Sequence, residues 1–264
     1  MAKKQRIIYY QDELHDEFAG DNIQAKPITA EYPYIRTGFA AKLKQILAYR
    51  VVATPLAYLY LKIYFHHKIV NHSAVKPFRR TGYFLYGNHT HFLADALIPT
   101  MISTPQDAKV IVHPNNVSMP FLGRVTPYMG ALPLPDDLEA AKNFVRAVED
   151  AFERKNCIMI YPEAHIWPYY TKIRPFPDLS FRYPVKCQSP VFCLTNTYQK
   201  QRFFKRPRLV TYLDGPFFPD PTLPPRSQRK ALRDAIYQTM VERSQNSNYE
   251  KIQYKKKTEG NCHE

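Results

Sequence analysis

The chain has 264 residues, 45% of them hydrophobic, enough for a sizeable core and a composition that excludes wholesale disorder. Its formal net charge of +14 favours anionic partners: phosphates, an anionic membrane face or nucleic acid. The four cysteines, Cys157, Cys187, Cys193 and Cys262, form no CxxC pair, which excludes a zinc ribbon or thioredoxin motif and reads as reduced thiols in a cytosolic protein.

In chain order, "MAKKQRIIYYQDELHDEF" turns acidic before any apolar run and predicts no signal peptide. Residues 1–38 mix charges with several prolines and lack periodicity, which predicts an irregular arm. Residues 39–78 predict a helical region in two pieces broken near Pro55. Its charge-free centre, 51–61, falls short of the roughly 20 apolar residues needed to span a bilayer. The flanks "AAKLKQILAYR" and "KIYFHHK" interleave cations with aromatics and read as helices lying in a membrane interface; the bland alternative is a helix packed on its own domain.

Alternation begins at residue 79 and runs to 245. It predicts strands at 82–87, 108–114, 157–163, 189–196 and 208–217, and helices at 90–103, 136–155 and 227–245. The helix at 136–155 is the clearest, with Asp136 and Asp137 at its start and Leu138, Ala141, Phe144, Val145, Val148 and Phe152 on one face. The tail, 246–264, is charged and reads as frayed. The predicted fold class is therefore α/β: a mostly parallel central sheet flanked by helices, with N-terminal interfacial helices. Such sheets hold ligands beyond the carboxyl ends of their strands. "GNHTH" follows one predicted strand and "YPEAH" ends another, so both open on that edge.

A histidine at a strand-to-helix junction presents its imidazole to a cleft. An aspartate on the next helix can accept its second N–H and stabilise the imidazolium. His89 and Asp95 have this arrangement, suited to a general base that deprotonates a hydroxyl. His91 lies four residues before Asp95, and spacing alone leaves either histidine open as the base. Solvated capping groups are the plainer reading of the same residues. Glu163, just past a strand, could orient a substrate hydroxyl or a phosphate-binding cation. Lys172 and Arg174 are of the types that bind phosphate, and Trp167, Tyr169 and Tyr170 could line an apolar groove or touch a bilayer. In "LGRVTPYMGALPLPDD", Gly123 and Gly130 mark tight backbone, and Arg124 is a further candidate phosphate ligand.

Taken in order, "GNHTHFLAD", "MGALPLP", "YPEAHIWP" and "SPVFCLTNTY" resemble the four motif blocks of the PlsC-type glycerolipid acyltransferases, over residues 80–200. The pairing of "YGNHTH" with "YPEAHIWPYYTKIRPF" resembles a divergent bacterial branch of that family. The resemblance implies acyl transfer from acyl-carrier protein or acyl-coenzyme A, with no cofactor or metal, to a lysophospholipid such as 1-acyl-sn-glycerol-3-phosphate, giving phosphatidate. It implies His89 as base, Asp95 as its holder, and Asn88 and Glu163 beside the substrate. It also implies a monotopic or peripheral enzyme at the cytoplasmic face of the membrane, matching the basic helical region before the motifs. Two departures stand out. Five residues separate His89 from Asp95 where the family has four, and the arginines usual in the second and third blocks are absent. The phosphate then falls to Arg124, Lys172 and Arg174.

Two other readings compete. His89, His91 and Asp95 could ligate a metal in a hydrolase, with His113, Glu163 or His165 completing the shell. A non-enzymatic membrane- or nucleic-acid-binding protein would also explain the charge. Its basic residues are scattered rather than striped and no nucleic-acid motif is present, so no nucleic-acid partner is expected.

Overall fold

Residues 6–18 and 23–257 are described in a computed structural model. The run of five apolar or small residues in β3 (Tyr83–Gly87) is wholly buried, as a strand covered on both faces requires. It lies at the centre of a seven-stranded sheet with β2 (Lys68–Val70), β4 (Ala108–Val112), β5 (Ala131–Pro133), β6 (Cys157–Ile160), β7 (Val191–Gln199) and β8 (Arg208–Phe217), in the order β2-β8-β7-β3-β6-β4-β5. All neighbours are parallel except β7 and β8, since the 200–207 connection is too short for a crossover and must close as a hairpin.

Alternate residues of the strands feed two cores. Phe84, Tyr86, Ile158 and Ile160 pack beneath α3 (Leu138–Glu153) and α4 (Pro225–Ser244). Tyr83, Leu85, Met159 and Leu194 pack beneath α1 (Phe39–Tyr64) and α2 (Phe92–Ser103). Asp137 caps α3, its carboxylate accepting the Ala140 N–H at 2.7 Å, so this helix starts where its sequence indicates.

The N-terminal helical region corrects two expectations. It is one continuous helix of 26 residues, not two pieces, and is long and apolar enough to cross a membrane by length and composition. Proline is accommodated because the turns before it widen to a π-type pattern over Ile46–Ala53. There the Thr54 N–H reaches the Tyr49 carbonyl, and the Thr54 hydroxyl donates to the same oxygen at 2.8 Å. One face is buried at every fourth residue, Tyr49, Ala53, Ala57 and Leu61, with alanines allowing close approach to α2. The Tyr49 hydroxyl bonds Thr100 and accepts the Ala108 N–H. The opposite face, including Leu47, Val51, Leu59 and Ile63, is exposed. The sheet also begins before residue 79, because β2 is one of its strands.

The arm and the tail are ordered against each other. β1 (Arg6–Tyr10) pairs in parallel with β9 (Ile252–Lys256), where an irregular arm and a frayed tail were expected. Neither strand has a buried face pattern to announce it; each is made by the other. The ribbon covers Trp167, which is fully buried against Tyr10, Phe18, Tyr170 and Tyr254 and so touches no bilayer.

Candidate active site

β3 ends at Gly87, where a side chain would run into Leu194 and Met159 of the flanking strands. The next residue, Asn88, is clamped to β7: its amide donates to the Asn196 carbonyl at 3.1 Å and its side-chain oxygen accepts the Asn196 N–H at 2.8 Å. That fixes where His89 emerges on the carboxyl edge of the sheet. His89 Nδ1 lies 2.9 Å from Asp95 Oδ2. The Asp95 carboxylate is fully buried and also accepts the Thr90 N–H at 2.7 Å, the His91 N–H at 2.8 Å and the Asn196 amide at 3.1 Å. Held by these donors, the carboxylate receives the His89 Nδ1–H, which leaves Nε2 as the imidazole's lone pair. The His89 side chain keeps 18% of its surface open, so that lone pair is reachable. Its ring stacks on Tyr161 at 4.4 Å, and the Tyr161 hydroxyl donates to the Asp95 carbonyl at 2.5 Å.

The additional residue between His89 and Asp95 is absorbed by His91, which stays extended (φ −156°, ψ 114°) as the N-cap of α2, its Nδ1 accepting the Ala94 N–H at 3.2 Å. Its ring sits edge-on to Phe65 and Tyr169, and burial lowers its pKa. His91 is therefore a neutral cap beside the reactive pair.

The cation that Glu163 orients is Arg174, which is buried and not the open phosphate ligand expected of it. The Glu163 carboxylate is buried and accepts the Arg174 guanidinium at 3.2 Å, the Arg174 N–H at 3.1 Å and the His89 N–H at 3.2 Å. Burial raises its pKa, while Arg174 and these N–H donors pull it back. Arg174 is itself buried under Trp167, its guanidinium carbon 4.9 Å from the ring centre, and donates to the carbonyls of Glu13 and His165. The pair braces the backbone of His89. Lys172 and Arg124 are exposed, Arg124 in the turn Leu122–Arg124, and neither contacts His89 or Asp95.

The histidines considered as metal ligands are engaged separately at Nδ1. His91 uses Nδ1 as a cap, and His113 accepts its own loop's Asn115 N–H. His165 faces Glu17 at 3.3 Å. Among the described residues no three His, Cys, Asp or Glu side chains converge.

Sequence reasoning passed over a polar chain behind the pair. The Thr211 hydroxyl lies 2.6 Å from Asn196 Oδ1 and 2.8 Å from His67 Nε2, all buried, so a file of hydrogen bonds runs His67–Thr211–Asn196–Asp95–His89. The available signal was "LTNTY", three polar residues inside an otherwise apolar strand. A cavity of about 700 Å³ lies elsewhere, lined by Arg36, Lys42, Tyr49, Asp107 and Lys109 at the amino ends of the strands.

Fold and site together define an α/β protein with a buried-aspartate/histidine pair on the carboxyl edge of a mostly parallel sheet. No protein-family model matches the chain, and no curated protein matches it significantly. Among solved structures it is similar to the 1-acyl-sn-glycerophosphate (LPA) acyltransferase PlsC from Thermotoga maritima, with a TM-score of 0.57 and 12% identity over 83% of this chain and 88% of that one. The chain thus has the fold that its four sequence blocks imply.

Proposed function

We propose that this protein is an acyltransferase that moves a fatty acyl group from a thioester, on acyl-carrier protein or acyl-coenzyme A, to the free hydroxyl of a lysophospholipid, 1-acyl-sn-glycerol-3-phosphate being favoured. The observation that carries this reading is the His89–Asp95 pair at 2.9 Å, its carboxylate saturated and buried and its histidine open at Nε2. His89 Nε2 takes the acceptor's hydroxyl proton, and the oxygen attacks the thioester carbonyl. The tetrahedral intermediate collapses to an ester and expels a thiolate, which takes the proton back from His89. Asp95 stabilises the transient imidazolium. The first-turn N–H groups of Phe92 and Leu93, which a helix leaves without an intrahelical partner, are the donors we assign to the oxyanion.

With Arg174 withdrawn, the acceptor's phosphate falls to cations at the mouth of the site. Lys251 lies 3.8 Å over the Tyr169 ring and acts electrostatically on His91, and Arg206 lies 4.3 Å over Tyr64. Arg124 and Lys172 remain as more distant candidates. The exposed face of α1 supports attachment to the cytoplasmic face of a membrane, where acceptor and product reside.

The test is phosphatidate formation by purified protein on liposomes carrying the lysophospholipid and an acyl thioester. His89→Ala and Asp95→Asn are expected to lower kcat about 10²–10⁴-fold, whereas His91→Ala keeps turnover and a chelator changes nothing. Turnover that survives His89→Ala, or is lost on chelation, would overturn the assignment.

A further inference from the structure

The connection between β7 and β8 reads "KQRFFKRP" (200–207), with Arg208 opening β8, and of these residues only Arg206 has been given a part in the site. Phe203 is 82% exposed and Phe204 53%, adjacent at the tip of the hairpin. Lys200, Arg202, Lys205, Arg206 and Arg208 surround them, all exposed, with no acidic residue in the segment. Two large apolar side chains held in water inside a ring of cations cost stability unless something covers them.

The hairpin is anchored to the end of α1. The Phe204 ring lies 4.5 Å from that of His66, and His66 Nδ1 is 2.8 Å from Gln201 Oε1. Arg208 donates to the His66 carbonyl at 3.0 Å, and Arg206 stacks over Tyr64. The exposed apolar face of α1, about 39 Å long at 1.5 Å per residue, therefore runs through Ile63 and Tyr64 straight into the hairpin tip. The same end carries the site: Phe65 meets the His91 ring at 5.0 Å, and β7 runs parallel to β3, so its hairpin rises from the edge that bears His89.

We propose that the β7–β8 tip is a second membrane-contact element, which inserts Phe203 and Phe204 among the headgroups of an anionic bilayer and holds the mouth of the His89 site against that surface. The inference rests on the acyl-transfer reading above for its purpose, but its geometry stands apart from it. A bilayer fits better than an acidic carrier protein because the exposed face of α1 and the hairpin tip meet through His66 and Tyr64, and together they are longer than a single small-protein contact. The flanking cations supply the attraction to anionic lipid, and the phenylalanines supply depth.

The experiment is co-sedimentation of the full chain with vesicles of phosphatidylcholine alone and of phosphatidylcholine mixed with phosphatidylglycerol. The triple change Lys200→Gln, Arg202→Gln, Lys205→Gln is expected to weaken binding to the anionic vesicles by about fivefold per cation removed and to leave the neutral vesicles nearly unaffected. Phe203→Ser, at a position 82% exposed and so safe for folding, weakens binding to both. Phe203→Trp gives an indole whose emission shifts to the blue and is quenched by brominated lipid, while the buried Trp167 is not quenched. Wild-type affinity in the triple and Phe203→Ser proteins, or no quenching of Phe203→Trp, overturns the proposal. So does normal vesicle binding with turnover lost only when the donor is acyl-carrier protein, which would make the hairpin the carrier's dock. Vesicle binding is read without turnover, so absence of acyl transfer in every preparation would defeat the catalytic reading and leave this one to its own result.

Discussion

Arg174 shows how one residue's environment decides its task. A phosphate ligand must be wet in the free protein and trade water for substrate; Arg174 is buried, bonded to Glu163 and covered by Trp167. Removing one member of such a pair strands the other charge in the interior. Arg174→Gln is therefore expected to cost about 3–5 kcal/mol of stability, read as a lower denaturant midpoint, whereas a lost phosphate ligand would raise KM in a stable protein. The reactive pair itself was legible because His89 and Asp95 sit six positions apart on one junction. Asn196, which holds Asp95 from 101 positions away, and Lys251, in a segment with no local pattern, were not. Local spacing carries a junction's chemistry but not the partners that only the sheet's strand order brings in. Nor does residue type reveal burial: the sequence "TKIRPF" does not say which of its two cations points inward.

At the scale of elements, the strands and helices between residues 79 and 245 follow from hydrophobic period, and their observed bounds lie within a few residues of the expected ones. The failures have physical causes. β5 is three residues long, too short for any period, and is defined by Gly130, which turns the chain into it with φ 98°. A Cβ at Gly130 would lie 2.2 Å from the Ala108 carbonyl oxygen. Gly130→Ala combines a left-handed backbone with a clash against a neighbouring strand, so a loss of about 2 kcal/mol or more is expected, as a shift of the urea midpoint at unchanged slope. In α1, Pro55 signalled a break, but a wider π-type turn with the Thr54 hydroxyl absorbs it, a solution invisible to a rule about proline alone.

At the scale of the whole molecule, stability and pH are coupled through the buried histidines. Burial lowers the pKa of His67 from 6.5 to about 3, and that of His91 moves the same way. Below about pH 6.5 the unfolded chain binds protons that these folded histidines refuse. Stability is therefore fully present above that pH and falls as pH drops toward 3, by about 1.4 kcal/mol per pH unit for His67 alone. His67→Gln is expected to flatten that slope in denaturant titrations run between pH 6.5 and 4, and an unchanged slope would show that His67 does not carry it. Because His67 stands at the far end of the chain of hydrogen bonds leading to Asp95, the brace behind the site keeps its neutral imidazole in the folded protein until the pH nears 3.

The parallel pairing of β1 with β9 has a mechanical consequence. Arg6 lies beside Ile252 and Tyr10 beside Lys256. If the chain is pulled by its two ends, the load enters one strand at its start and the other at its finish, and the two slide past each other along their length. Bonds in that geometry resist together instead of parting one at a time. A stretching force applied at Arg6 and Lys256 thus loads the ribbon over Trp167 in shear, and that ribbon is the clasp it would have to break.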